Sequence, residues 1–314
     1  MTTKVLCETI DDKSFVDVPA AIPAVKFPLP KVGITRRPFY INIQDPFSKE
    51  PTLLLSELKI FFSLPATQRG LHMSRIEECL NNMASKSILS LNDWITQLSK
   101  TLLAKQQQLD CIIELEMQYE KATTKNPSKI LSHEIIKLNT SAIANQNEIN
   151  IATGITVPFI NACPCTQRWG MREFYKKLIN LGYDHSEAEK LIVIAPLQAH
   201  TNLGKASLKI WNNHITHSQI YDLLDNSLPI VRELLKGPDE HDLVQKAHQE
   251  GQFCEDNIRS IISEVCSKLE NVIENADKVE IIVEVEESVH SHNLYAEITS
   301  TFGELKDNLE IPYG

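Results

Sequence analysis

Residues 109–119, Leu-Asp-Cys-Ile-Ile-Glu-Leu-Glu-Met-Gln-Tyr, place apolar side chains at every odd position and polar ones at every even position except Ile112. A period of two is the signature of a strand with one buried face. Residues 130–138 and 149–160 alternate in the same way, which predicts a run of strands joined by hairpins. Upstream, the signals of residues 60–100 turn helical: Pro65 precedes one candidate helix. Asn92 offers an N-cap before Trp94, Ile95, Leu98, Leu102 and Leu103 at helical spacing. The first thirty or so residues carry Pro19, Pro23, Pro28 and Pro30 and read as an extended arm, with a globular unit starting near Val32.

Downstream of Cys165 the types alternate again. Helical patterns fit residues 171–181 and 186–194, a strand fits 199–210, and helices fit 220–224, 228–235, 241–249 and 255–275. Strands follow at 278–285 and 294–299. Each half mixes antiparallel sheet with paired helices, an α+β pattern and not the βαβα order of a parallel sheet. The reading divides the chain into an arm over 1–31, a first module over 32–160 and a second over 161–314, with a helical insertion at 167–195.

The 314 residues are 42% hydrophobic and 23% charged, which excludes disordered, collagen-like and coiled-coil classes. No run approaches the roughly 18 consecutive apolar residues of a membrane span, and the first thirteen residues lack a signal-peptide core. A cytoplasmic protein with no membrane partner is expected. Seven cysteines are too sparse and odd in number for a disulfide scaffold, so reduced thiols available for metal binding or catalysis are expected. A net charge of -10 argues against nucleic acid as a partner, while a small anionic substrate needs only a local cation cluster.

Four segments concentrate reactive side chains: 69–75 (RGLHMSR), 161–165 (NACPC), 199–202 (AHTN) and 287–293 (ESVHSHN). Pro164 prevents a continuous helix through the two cysteines. The pair reads either as buried reduced thiols or as thiolates facing a cation from an extended backbone. His290 and His292 share a face if extended, whereas a turn brings Glu287 toward His290; the alternative is a solvated histidine loop. Cys163, His200 and His290 are soft sulfur and borderline nitrogen donors of the kind that hold zinc or iron. Their dispersion along the chain fits an open catalytic site better than a structural one.

Taken in order, RGLHMSR, NACPC, an Ala-His strand start, LLKGPDE (234–240), FCEDNIR (253–259) and EESVHSHN resemble the GTP cyclohydrolase IB family from about Val18 to about Tyr295. The insertion between Cys165 and His200 resembles the archaeal branch, which opens GTP on the route to methanopterin, more than the bacterial folate branch. The resemblance implies a tunnelling fold of two modules, assembled as a homotetramer with active sites between subunits. It implies hydrolytic opening of the guanine imidazole ring of GTP, or of a related purine nucleotide, at C8. Formate leaves and a dihydroneopterin phosphate forms for folate or methanopterin-like synthesis.

A divalent transition metal, zinc, iron(II) or manganese, would activate the water. Carried over, Cys163 and His290 become metal ligands and His200 a ligand or a proton carrier, with Asp225 as the nearest equivalent of an acidic ligand. Cys163, His200, Glu287 and His290 form the catalytic set. Glu240 would read the guanine edge, with Lys236, His72, Arg75 and Lys205 as further substrate contacts. Arg69 is another candidate cation for the triphosphate.

The chain departs from the family at Leu203 and Gly237, where arginines are usual, at Leu71 in place of threonine, and at Asp225 in place of glutamate. The implied alternatives are a diverged relative acting on another purine nucleotide, or a non-catalytic binding or assembly subunit of the same fold.

Overall fold

The computed structural model describes residues 17–84, 89–195, 199–212, 214–233, 236–249 and 251–309. Eight strands form one antiparallel sheet in sequential order: β1 (Leu29–Gln44), β2 (Pro51–Leu64), β3 (Asp110–Thr123), β4 (Ser132–Asn145), β5 (Ile149–Ala162), β6 (Thr201–Trp211), β7 (Lys278–Glu286) and β8 (Leu294–Thr301). Helices α1 (Met73–Ala84) and α2 (Leu91–Gln106) fall between β2 and β3; α3 (Pro164–Asn180) and α4 (His185–Ile194) fall between β5 and β6. Then α5 (His217–Ser227), α6 (Gly237–Gln249) and α7 (Cys254–Leu269) precede β7, and α8 (Phe302–Leu309) follows β8. The α+β expectation is met, and the sheet crosses the expected module boundary unbroken, since β5 pairs with both β4 and β6.

One sheet face carries the core. Along β3, Cys111, Ile113, Leu115, Met117 and Tyr119 point inward. They join Trp94, Ile95, Leu98 and Leu102 of α2 in a single cluster that continues through Ile258, Ile261 and Val265 of α7. Burying a Leu or Ile side chain contributes about 1.5–3 kcal/mol.

Several local expectations are corrected. Residues 60–64 belong to β2: Leu58, Ile60, Phe62 and Leu64 alternate inward, a strand period. The N-cap of α2 is Ser90, which accepts from the Asp93 N–H. The segment expected to be helical at 228–235 is extended in its described part. Pro229 lacks an N–H, and its carbonyl accepts from Ile160 while the Val231 N–H donates to Pro158. Residues 234–235 of that segment, like 1–16 of the arm, lie outside the described residues. The described part of the arm folds back, with Arg69 and Gly70 N–H groups donating to the carbonyls of Ala21 and Pro19.

Candidate active site

β5 and β6 pair to their very ends, Ala162 opposite Thr201. The chain then leaves β5 at Cys163, which is extended and caps α3, with Pro164 at the first helical position where its missing N–H costs nothing. Cys163 therefore faces His200, and its backbone N–H donates to the His200 carbonyl at 3.2 Å. The β6–β7 register sets Leu203 opposite Glu286. One step further, Asn202 meets Glu287: its Nδ2 donates to Glu287 Oε1 at 2.8 Å. Asn202 Oδ1 accepts the Ser288 N–H at 3.0 Å and lies 3.3 Å from His200 Nδ1, which is also 3.3 Å from Ser288 Oγ. Glu287 Oε2 is buried and has no hydrogen-bond partner among the described residues.

The Cys163 thiol is held below its ordinary range. Burial pushes it up, but hydrogen bonds from the Thr166 backbone and hydroxyl and from the Cys165 backbone outweigh that and favour the thiolate. The surroundings are tied to this end of the sheet. Gln167 of α3 bonds the His248 carbonyl at the end of α6 and accepts the Gly251 N–H, and buried Asn257 of α7 donates to Asn161.

The structure brings together Cys163, His200 and Glu287, and scatters the rest. His290 is exposed in the turn after β7, its ring stacked on His292 at 5.3 Å. Asp225 near the end of α5 bonds Lys125 at 2.6 Å through one oxygen and Arg232 through the other. Arg232 also reaches the fully buried Glu134, to which Tyr221 donates. Lys205 is paired with Glu286 at 2.9 Å. His72 lies 3.6 Å from Asp17, and Arg75 donates to the Lys105 carbonyl. Lys236 and Glu240 are exposed at the start of α6. The end of α6 is the part that touches the cluster, so Glu240, eight residues before His248, stands about 12 Å further along the helix axis.

Asn202 and Ser288 are site residues whose roles the sequence did not announce. The available signal was polarity in the wrong slot, since Asn202 occupies the inward series of β6 otherwise filled by Gly204, Ala206, Leu208 and Ile210.

Among the described residues no three His, Cys, Asp or Glu side chains converge on a metal position. The donors the chain does bring together are a thiol prone to ionise, an imidazole, and a carboxylate oxygen lacking a partner. Their chemistry fits a divalent transition metal.

A single sequential antiparallel sheet with paired helices on one face defines a tunnelling-fold protein, and a thiol, imidazole and carboxylate at one end of the sheet form its candidate site. The fold is shared with a uricase from Arthrobacter globiformis at a TM-score of 0.52, with 7% identity over 87% of this chain and 94% of that one. Residues 15–296 match the family described as Type I GTP cyclohydrolase folE2, and the chain belongs to that family of enzymes. Among curated relatives, GTP cyclohydrolase MptA of Methanococcus aeolicus is 30% identical over 94% of this chain and 100% of its own length. MptA of Methanococcus vannielii is 29% identical over 94% and 99%. These likenesses favour the archaeal-type branch, and the family is in general metal-dependent.

Among the described residues no helix is long and apolar enough to cross a membrane.

Proposed function

We propose that this chain opens the imidazole ring of GTP by hydrolysis at C8, releases formate and yields a dihydroneopterin phosphate, with a divalent transition metal held by Cys163 and His200. When bound, that metal would supply Lewis acidity that lowers the pKa of a water from 15.7 to about 7. Glu287 Oε2 accepts the proton of the water attacking C8 and returns it to the ring nitrogen as the C–N bond to C8 breaks. A second hydrolysis, of the formamide, frees formate, and rearrangement of the ribose followed by ring closure with loss of water gives the dihydropterin. The observation that supports this assignment is the unpartnered buried Oε2 beside the Cys163–His200 pair.

Guanine presents adjacent N–H donors that one carboxylate can accept together, the role assigned to Glu240. Its position about 12 Å along α6 from His248, exposed at the other end of the helix, favours delivery from a neighbouring subunit, in a homotetramer built from two-module chains. His290, exposed on its turn, would complete the ligand set on assembly. Asp225 could join the metal only by giving up Lys125 or Arg232.

Leu203 and Gly237 supply no cation and Lys205 is already paired with Glu286, which supports a second reading in which the preferred purine nucleotide carries fewer phosphates.

The test is Glu287→Gln, which preserves the Asn202 contact at Oε1. Formate release should fall by about 10²- to 10⁴-fold with GTP binding retained; turnover close to that of the wild type refutes the role.

A further inference from the structure

We propose that Asn202 is the positioning residue of this site. Its side-chain amide fixes His200 with the proton on Nδ1 and holds Glu287 by Oε1, leaving the His200 Nε2 lone pair and Glu287 Oε2 free to act.

Asn202 is only 5% exposed and stands in the inward row of β6, where an amide without partners is costly. Its three contacts determine its orientation. A backbone N–H can only donate, so the atom 3.0 Å from the Ser288 N must be the oxygen, and the amide nitrogen then faces Glu287 Oε1 at 2.8 Å. The same oxygen lies 3.3 Å from His200 Nδ1. An amide oxygen can only accept, so a neutral His200 ring must carry its hydrogen on Nδ1. Nε2 is left with its lone pair, the form needed for a metal ligand or a proton acceptor.

The antiparallel register explains why one residue reaches both groups: Leu203 opposite Glu286 puts Asn202 against the first residues after β7. No other side chain bonds both His200 and Glu287 among the described residues. The tautomer follows from these contacts alone; the catalytic consequence rests on the reaction proposed above.

The test uses the full chain labelled with 15N-histidine, the His200 signal being the one lost in His200→Gln, with the ring nitrogens read above the imidazole titration range. Wild type should show Nδ1 protonated and Nε2 bare. Asn202→Asp keeps the acceptor and should keep that tautomer. It also sets an anion against Glu287, so kcat for formate release should fall by about 10- to 100-fold with KM for GTP little changed. Asn202→Leu, checked for folding by circular dichroism, should lose the fixed tautomer.

A wild-type His200 protonated on Nε2, an unaltered tautomer in folded Asn202→Leu, or an unaltered kcat in Asn202→Asp overturns the proposal. If Asn202→Leu does not fold, wild type and Asn202→Asp still decide. A wild type with Nδ1 protonated but no formate release refutes the proposed reaction and leaves the positioning of His200 standing.

Discussion

The backbone N–H of Cys163 donates to the carbonyl of His200 at 3.2 Å, so the end of β5 and the start of β6 present a thiol and an imidazole side by side. Side chains far apart in sequence thus acquire a separation set by a backbone bond, before any metal arrives. The intervening helical pair α3–α4 can vary in length without disturbing it, because β5 and β6 are paired up to Ala162 and Thr201.

Cys163→Ala should abolish bound metal and activity together. Cys165→Ala should leave metal content largely intact, since Cys165 is exposed on the first turn of α3 and it is Cys163 whose backbone N–H bonds the His200 carbonyl. Metal content of the two purified variants by elemental analysis decides; equal loss would show that both thiolates bind.

Burial drives the pKa of His217, at the start of α5, from 6.5 down to about 4, against a weaker opposing bond to the Asn139 carbonyl. Between those values the unfolded chain binds a proton that the native state refuses. The contribution is therefore complete above pH 6.5 and is lost as pH falls toward 4. Urea unfolding at pH 7 and 4.5 should show wild type losing about 2–3 kcal/mol more than His217→Gln over that interval. Parallel losses would mean that His217 is not held neutral by burial.

The Arg232 guanidinium joins Glu134, whose side chain is fully buried, to Asp225. Arg232→Met should cost about 3–5 kcal/mol, because among the described residues Glu134 then keeps the Tyr221 hydroxyl as its hydrogen bond and the Lys121 charge nearby, but no ion-paired guanidinium. Adding Glu134→Gln should recover part of that loss. A single variant as stable as wild type in denaturant would show that water replaces the guanidinium.

On the proposed reading, Leu203 and Gly237 in place of arginines remove two charge-assisted contacts to the substrate, each worth about 1.5–3 kcal/mol. The ratio of kcat/KM for GTP over GMP should stay below about a hundredfold. Lys236→Ala should reduce it further, whereas Lys205, already bound to Glu286, should matter less. A larger ratio that is indifferent to both lysines would place the phosphates on other cations.

The legible parts of the sequence were those whose meaning is local. The alternation of 109–119 is β3, whereas the extended backbone expected through Cys163 and Cys165 ends at Pro164, where α3 begins and carries Cys165 into its first turn. β1 was not legible: Pro38 and a register irregularity between Ile34 and Arg37, with Arg36 at φ 53, break the period of two. As the edge of the sheet it tolerates both. The reactive segments named Cys163, His200 and Glu287, but the link among them runs through Asn202, whose partners lie across a strand register that no local pattern reports. Asp225 and Lys205 stood out as charges, yet their engagement with Arg232 and Glu286 depends on contacts made only in the folded chain.

The central claim is tested most directly by incubating the metal-loaded protein with GTP and measuring formate and pterin fluorescence together. The account predicts one formate per GTP consumed, a fluorescent pterin after oxidation of the product, and loss of both on chelation. GTP that survives intact with fully loaded metal, or that loses phosphate without formate, would contradict it.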